Sequence, residues 1–164
     1  LMSFGLLAPA KQGPGATNIV ALAHGTSRTD KQWPTENWIA LGRRLHESGY
    51  HVALPHGNDL EEQRSREIAA SIKDAVVWPR LGLDALTDRL AGCAGVVGVD
   101  TGVSHMATAL DLPHVQIYNF DTAWRTGPAG GRQVSVFASP APSLQAVWLA
   151  WQRVTGQLTT TIAP

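Results

Sequence analysis

Short continuous apolar runs alternate along this chain with longer stretches whose apolar positions recur every three or four residues. The first pattern marks strands buried on both faces and the second marks amphipathic helices. Ile19 to Ala23 (IVALA) reads as a buried strand, followed by the polar loop HGTSRTDKQWP. A helix then starts with Thr35 as N-cap behind Pro34, carries Trp38, Leu41 and Leu45 on one face, and ends at Gly49. HVALP is the next strand, and Asn58 or Asp59 with Glu61 or Glu62 three positions on opens a second helix in the manner of a capping box.

The alternation continues. Ala75 to Trp78 predicts a strand, Leu83 to Ala91 a helix with Leu83, Leu86 and Leu90 on one face, and Gly95 to Val99 a fourth strand. Thr101 to Leu110 follows as a helix, His114 to Tyr118 and Gln133 to Phe137 as strands. The last helix places Leu144, Val147, Trp148, Trp151 and Val154 on one side. This order predicts an α/β domain of the doubly wound, Rossmann-like kind, a parallel sheet covered on both faces, with ligands outside the carboxyl ends of its strands. The domain runs over residues 19–154, between a Gly/Pro-rich lead-in (1–18) and a Thr-rich tail (155–164) with little to bury.

Charge narrows the partner. Lys plus Arg equals Asp plus Glu at 13 each, which leaves no basic excess for a nucleic-acid footprint and points to a small molecule or another protein. The one cysteine, Cys93, sits in LAGCAGVV and reads as a buried structural thiol. No apolar run is long enough to span a bilayer, and LMSFGLLAPAKQG lacks the basic start of a secretory signal; the expectation is a reducing, cytoplasmic setting.

Three strand-to-helix junctions carry the polar chemistry, HGTSRTDK, HGNDLEE and DTGVSH, and the architecture puts all three on one rim. Gly102 lets a ligand approach the backbone, and the N–H groups opening the helix behind it form an anion site. His105, one turn on, can aim a ring nitrogen at the same place. Asp100 would repel a phosphate there; it either caps the helix or faces hydroxyl groups attached to the phosphate, as on a sugar. Lys31 with Thr26 and Ser27 offers a cation and two hydroxyls, either to a diphosphate or to solvent. Glu61 suits a ribose diol as well as the first turn of its helix.

Other chemistries fit less well. The only Gly-x-Gly, Gly13 and Gly15, precedes the first strand, so the dinucleotide fingerprint fails in place and pattern. His24 and His56 close strands on the rim without metal-site spacing, and no metal is expected. Trp38, Trp148 and Trp151 read as packing, whereas Trp33 and Trp124 could wall a base or a sugar.

Together, TSRTDKQWP, GNDLEEQR and DTGVSHMATAL resemble the lipopolysaccharide heptosyltransferases of glycosyltransferase family 9, over residues 19 to 154. The Thr-Gly-x-Ser-His form is similar to the family's type I branch more than to type II. The resemblance implies the C-terminal half of a two-domain enzyme of the GT-B fold, binding ADP-L-glycero-D-manno-heptose. It implies inverting transfer of heptose to Kdo-lipid A without metal or cofactor, at the cytoplasmic face of the inner membrane of a Gram-negative bacterium. Thr26, Ser27, Thr101 and Gly102 would then contact the diphosphate, Lys31 the phosphate and heptose, and Glu61 the ribose. Asp100 and His105 would hold the heptose, and the backbone near Leu81 would meet adenine. Asp100, Lys31 and His105 would carry the donor chemistry. The acceptor site and the general base would belong to the N-terminal domain, outside this chain, leaving the chain to bind without turnover and some tryptophan surface of the last helix uncovered. NFDTAWRTGP, from Asn119 to Pro128, departs from the Gly-Pro-Thr loop usual in the family.

Overall fold

A computed structural model describes residues 17–26, 28, 31–119 and 132–156. Ser27 and Trp124, most of the Asn119 to Pro128 loop, nearly all of the lead-in and most of the tail lie outside those residues. The elements in chain order are β1 (Ile19–Ala23), α1 (Thr35–Glu47), β2 (His51–Leu54), α2 (Asp59–Ala69), β3 (Val76–Val77), α3 (Leu83–Ala91) and β4 (Gly95–Val99). They continue with α4 (Gly102–Ala109), β5 (His114–Tyr118), β6 (Gln133–Phe137) and α5 (Leu144–Val154).

The six strands form one sheet in the order β3-β2-β1-β4-β5-β6, and every pairing is parallel. The chain therefore winds outward from β1 in one direction and then from β4 in the other. The crevice where the order reverses lies between the carboxyl ends of β1 and β4, where open α/β sheets bind ligands.

The two faces of the sheet are built differently. Val20, Leu22, Val52, Leu54, Val97, Val99, Val115 and Ile117 point to one face and pack with Trp38, Leu41 and Leu45 of α1, Ile68 of α2 and Val147, Trp148 and Trp151 of α5. The other face presents Ala21, Ala23, Ala53 and Val96 to Leu90 of α3 and Ala107 of α4. Strand residues alternate between faces, so β1 is large on one side and small on the other. The small side lets α4 come close: a Cβ added at Gly98 would stand 2.5 Å from Ser104 Oγ and 2.8 Å from Ala23 Cβ. That approach brings the N-terminus of α4 to the crevice.

Three expectations change in detail. Pro34, not Thr35, occupies the cap position of α1, and no side chain caps it; the Thr35 hydroxyl is taken instead by Arg64 Nε at 3.2 Å. Trp33 does not wall a ligand site: it is fully buried, edge-on to Trp38 at 4.9 Å, with its indole N–H donated to Pro142 O at 2.9 Å. The tryptophans of α5 are not left uncovered either. Trp148 and Trp151 are both buried, the Arg44 guanidinium lying 4.7 Å over the ring of Trp148 and Tyr50 edge-on to Trp151. Cys93 is buried as expected, and burial pushes its thiol up to about 12.

Because both atoms facing Gly98 belong to buried residues, Gly98→Ala should cost about 1–3 kcal/mol through overpacking. A urea titration of the two proteins measures it, and an unchanged midpoint would mean that α4 can move away from the sheet freely.

Candidate functional site

At the end of β4 the chain turns through Asp100 into α4. Thr101 caps that helix, its side chain accepting from Ser104 N, and Ser104 Oγ donates back to Val99 O at 2.6 Å. Asp100 is thus not the cap. The N–H groups of Gly102 and Val103 stand in the first turn, where no intrahelical acceptor exists, and together with the macrodipole they favour an anion. A Cβ added at Gly102 would meet nothing within 4 Å, so packing within the protein does not call for a glycine there.

The Asp100 carboxylate is held on three sides. Lys31 Nζ donates to Oδ2 at 2.9 Å, His105 Nε2 approaches Oδ1 at 3.0 Å, and Gln116 Nε2 donates to Oδ1 at 3.3 Å. A donor role for His105 requires the proton on Nε2, in the neutral ring as in the charged one. The Lys31 and Asp100 side chains are 23% and 17% exposed, so the pair is sheltered yet open to exchange with a ligand. Lys31 also removes the objection to a carboxylate beside an anion site, since the two charges offset each other.

Next to α4 a cavity of about 230 Å³ opens between β1, β2 and the helix starts. Leu81, Leu86, Val103 and Met106 give it an apolar wall, and Glu61, Thr101 and Gly102 give it polar groups. Glu61 is fixed from below: Gly57 N donates to its Oε1 at 2.9 Å, while Asn58 caps α2 by accepting from Glu61 N at 2.8 Å. Its carboxylate fills the space where Gly25 lacks a Cβ. On the far side of Gly25 and Glu61 a second cavity, about 320 Å³, is lined by Thr26, Gln32 and Arg64 among others.

The structure therefore gathers Glu61, Leu81, Thr101 and Gly102 on one cavity, puts Thr26 on the adjoining one, and joins Lys31, Asp100 and His105 in one ion cluster. Gln116 and Arg64 were not singled out by their residue types. A glutamine inside the apolar strand HVQIY was the available signal for the first, and Gln116 is indeed buried. Among the described residues no group of three or more His, Cys, Asp and Glu could hold a metal ion.

Below the rim, His24 is fully buried, with Nε2 2.7 Å from Ser65 Oγ and Ser65 Oγ donating to Pro55 O at 3.3 Å. One hydroxyl proton cannot serve both bonds, so His24 Nε2–H donates to Ser65 Oγ. Burial, helped by Arg64, holds this imidazole down to about 4. His114, at the other end of the sheet, is held down to about 4 by burial as well.

A model for glycosyltransferase family 9 (heptosyltransferase) matches residues 6–147. The chain belongs to this family. It is 40% identical over 125 residues to lipopolysaccharide heptosyltransferase 1 of Pseudomonas aeruginosa, a match covering 76% of this chain and 35% of that protein. Among solved structures it is similar to the E. coli heptosyltransferase WaaC with ADP, at TM-score 0.79 and 32% identity, over 85% of this chain and 45% of that one. WaaC with ADP-2-deoxy-2-fluoro heptose matches at TM-score 0.72 and 34% identity, over 82% and 42%. The family 9 chain described here thus spans about a third of the curated relative's length and under half of the solved WaaC chains.

The two buried histidines set a pH dependence. Their folded values lie below the ordinary 6.5, so between about pH 6.5 and pH 4 the unfolded chain binds protons that the native one refuses. Stability should be full above 6.5 and fall by about 3 kcal/mol per histidine as pH drops to about 4. Denaturant titrations across that range test this, and His114→Asn should flatten the slope; a stability that rises on acidification would contradict it.

Proposed function

We propose that this chain is the donor-binding half of an inverting heptosyltransferase, holding ADP-L-glycero-D-manno-heptose for transfer to Kdo-lipid A. The observation that carries the reading is the Asp100 carboxylate, shared by Lys31, His105 and Gln116 one residue ahead of the helix cap. A bare nucleotide offers this carboxylate no hydroxyl beyond its second phosphate, whereas a sugar carried on that phosphate does. The family match and the relatives' names support the same reading.

In this reading adenosine occupies the cavity between Leu81, Leu86 and Met106, its ribose hydroxyls donating to Glu61. The diphosphate lies over the N–H groups of Gly102 and Val103, with Thr26, Ser27 and Thr101 as hydroxyl donors. Lys31 leaves Asp100 for the phosphates, where at about 4 Å and an effective dielectric near 20 it is worth roughly 4 kcal/mol before desolvation. Asp100 and His105, released from it, take the heptose hydroxyls. As the glycosidic bond breaks, negative charge grows on the departing ADP, and these fixed donors stabilise it without a metal or cofactor. We assign the general base that deprotonates the acceptor hydroxyl, and the acceptor site, to a part of the protein outside these 164 residues. The working place of such an enzyme is the cytoplasmic face of the inner membrane; among the described residues no helix is long and apolar enough to cross a membrane.

Calorimetric titration with ADP, UDP, GDP and ADP-heptose tests the reading. Adenine should be preferred and heptose should add affinity. Asp100→Ala should lose the heptose increment while binding ADP at least as well, because Lys31 no longer has to be drawn from a carboxylate. Lys31→Ala should weaken both ligands about tenfold or more. Preference for another nucleotide, or equal loss of ADP and ADP-heptose in Asp100→Ala, would overturn it.

A further inference from the structure

The loop between β1 and α1 carries Thr26 and Lys31. Within it, Lys31 N donates to Arg28 O at 3.1 Å and Arg28 N donates to Thr26 Oγ1 at 3.3 Å. A side chain from α2 ties its flanks to the body of the protein. Arg64 donates from Nη2 to Trp33 O at 2.6 Å, from Nη1 to His24 O at 3.4 Å and from Nε to Thr35 Oγ1 at 3.2 Å. One planar guanidinium thus bonds His24, two residues ahead of Thr26, and Trp33 and Thr35, two and four residues after Lys31.

Its neighbours reinforce the same grip. Asn119 Nδ2 donates to Gln32 O at 2.8 Å, so two successive carbonyls directly after Lys31 are held. The His24 ring is anchored through Ser65, one residue along α2 from Arg64. Partial burial disfavours the charged form of Arg64, and its bonds to carbonyl oxygens are the compensation a sheltered cation needs.

We propose that Arg64 is a positioning residue of the donor site, the fork that clamps both ends of the Thr26–Lys31 loop and so sets where Lys31 meets Asp100 and the diphosphate. The inference rests on the donor-site reading above. Lysine cannot replace it, because an ammonium on a flexible stem cannot reach three acceptors in one plane.

The test is a double-mutant cycle read by calorimetry with ADP, using Arg64→Met, Lys31→Ala and the double variant, with thermal unfolding of each as a control. Arg64→Met should weaken ADP binding about tenfold, and Lys31→Ala should add little in that background, since an unplaced Lys31 has already lost its contact. Arg64→Lys, which keeps charge and stem, is the second variant should the methionine protein fail to fold, and it should show the same loss and the same coupling. Wild-type affinity in either folded variant, or full additivity with Lys31→Ala, would overturn the positioning role and leave the donor site standing. Failure of the unaltered chain to bind ADP would remove the donor reading and this role together.

Discussion

The Asp100 carboxylate is the point on which the rim depends. It is sheltered from solvent though not buried, and it tolerates that shelter because Lys31, His105 and Gln116 supply donors to both of its oxygens. Those donors come from the β1–α1 loop, from α4 and from the centre of β5, so one carboxylate ties three parts of the fold together at the reversal of the strand order. Leaving such a group sheltered without partners is costly. Under the proposed donor reading, a ligand that offers Lys31 a stronger anion would free the carboxylate for hydroxyl groups.

That arrangement is possible because the sheet is asymmetric. Alanine and glycine on one face of β1 and β4 let α4 settle against the sheet, which aims its N-terminus into the crevice. Large residues on the opposite face make the main core with α1, α2 and α5, and the rigidity of that core is what the rim loops are pinned to. Arg64 and His24 sit at the junction, reaching from the core side up to the loop that carries Lys31.

Much of this was legible in the residues. The strands and helices followed from apolar runs and helical spacing, because buried parallel strands and amphipathic helices leave unmistakable periods. The grouping of Lys31, Asp100 and His105 rested on topology, which puts the βα junctions of such a sheet on one rim, together with the family resemblance. What could not be read were contacts between residues far apart in sequence. Nothing in TSRTDKQWP says that Trp33 turns inward against Trp38, or that Thr35 gives its hydroxyl to an arginine 29 positions on. Gln116 likewise is only a polar interruption in a strand until β4 and β5 are placed side by side. The covering of Trp148 by Arg44 is of the same kind, a long side chain lying over an aromatic face that periodicity does not report.

A crystal structure of this chain with ADP-heptose tests the central claim most directly. The account predicts adenine against Leu81 and Met106, the diphosphate over Gly102 with Lys31 moved onto it, and heptose hydroxyls within hydrogen-bond distance of Asp100. A nucleotide bound elsewhere, or bound at this rim with Lys31 still on Asp100 and no sugar hydroxyl near the carboxylate, would contradict it.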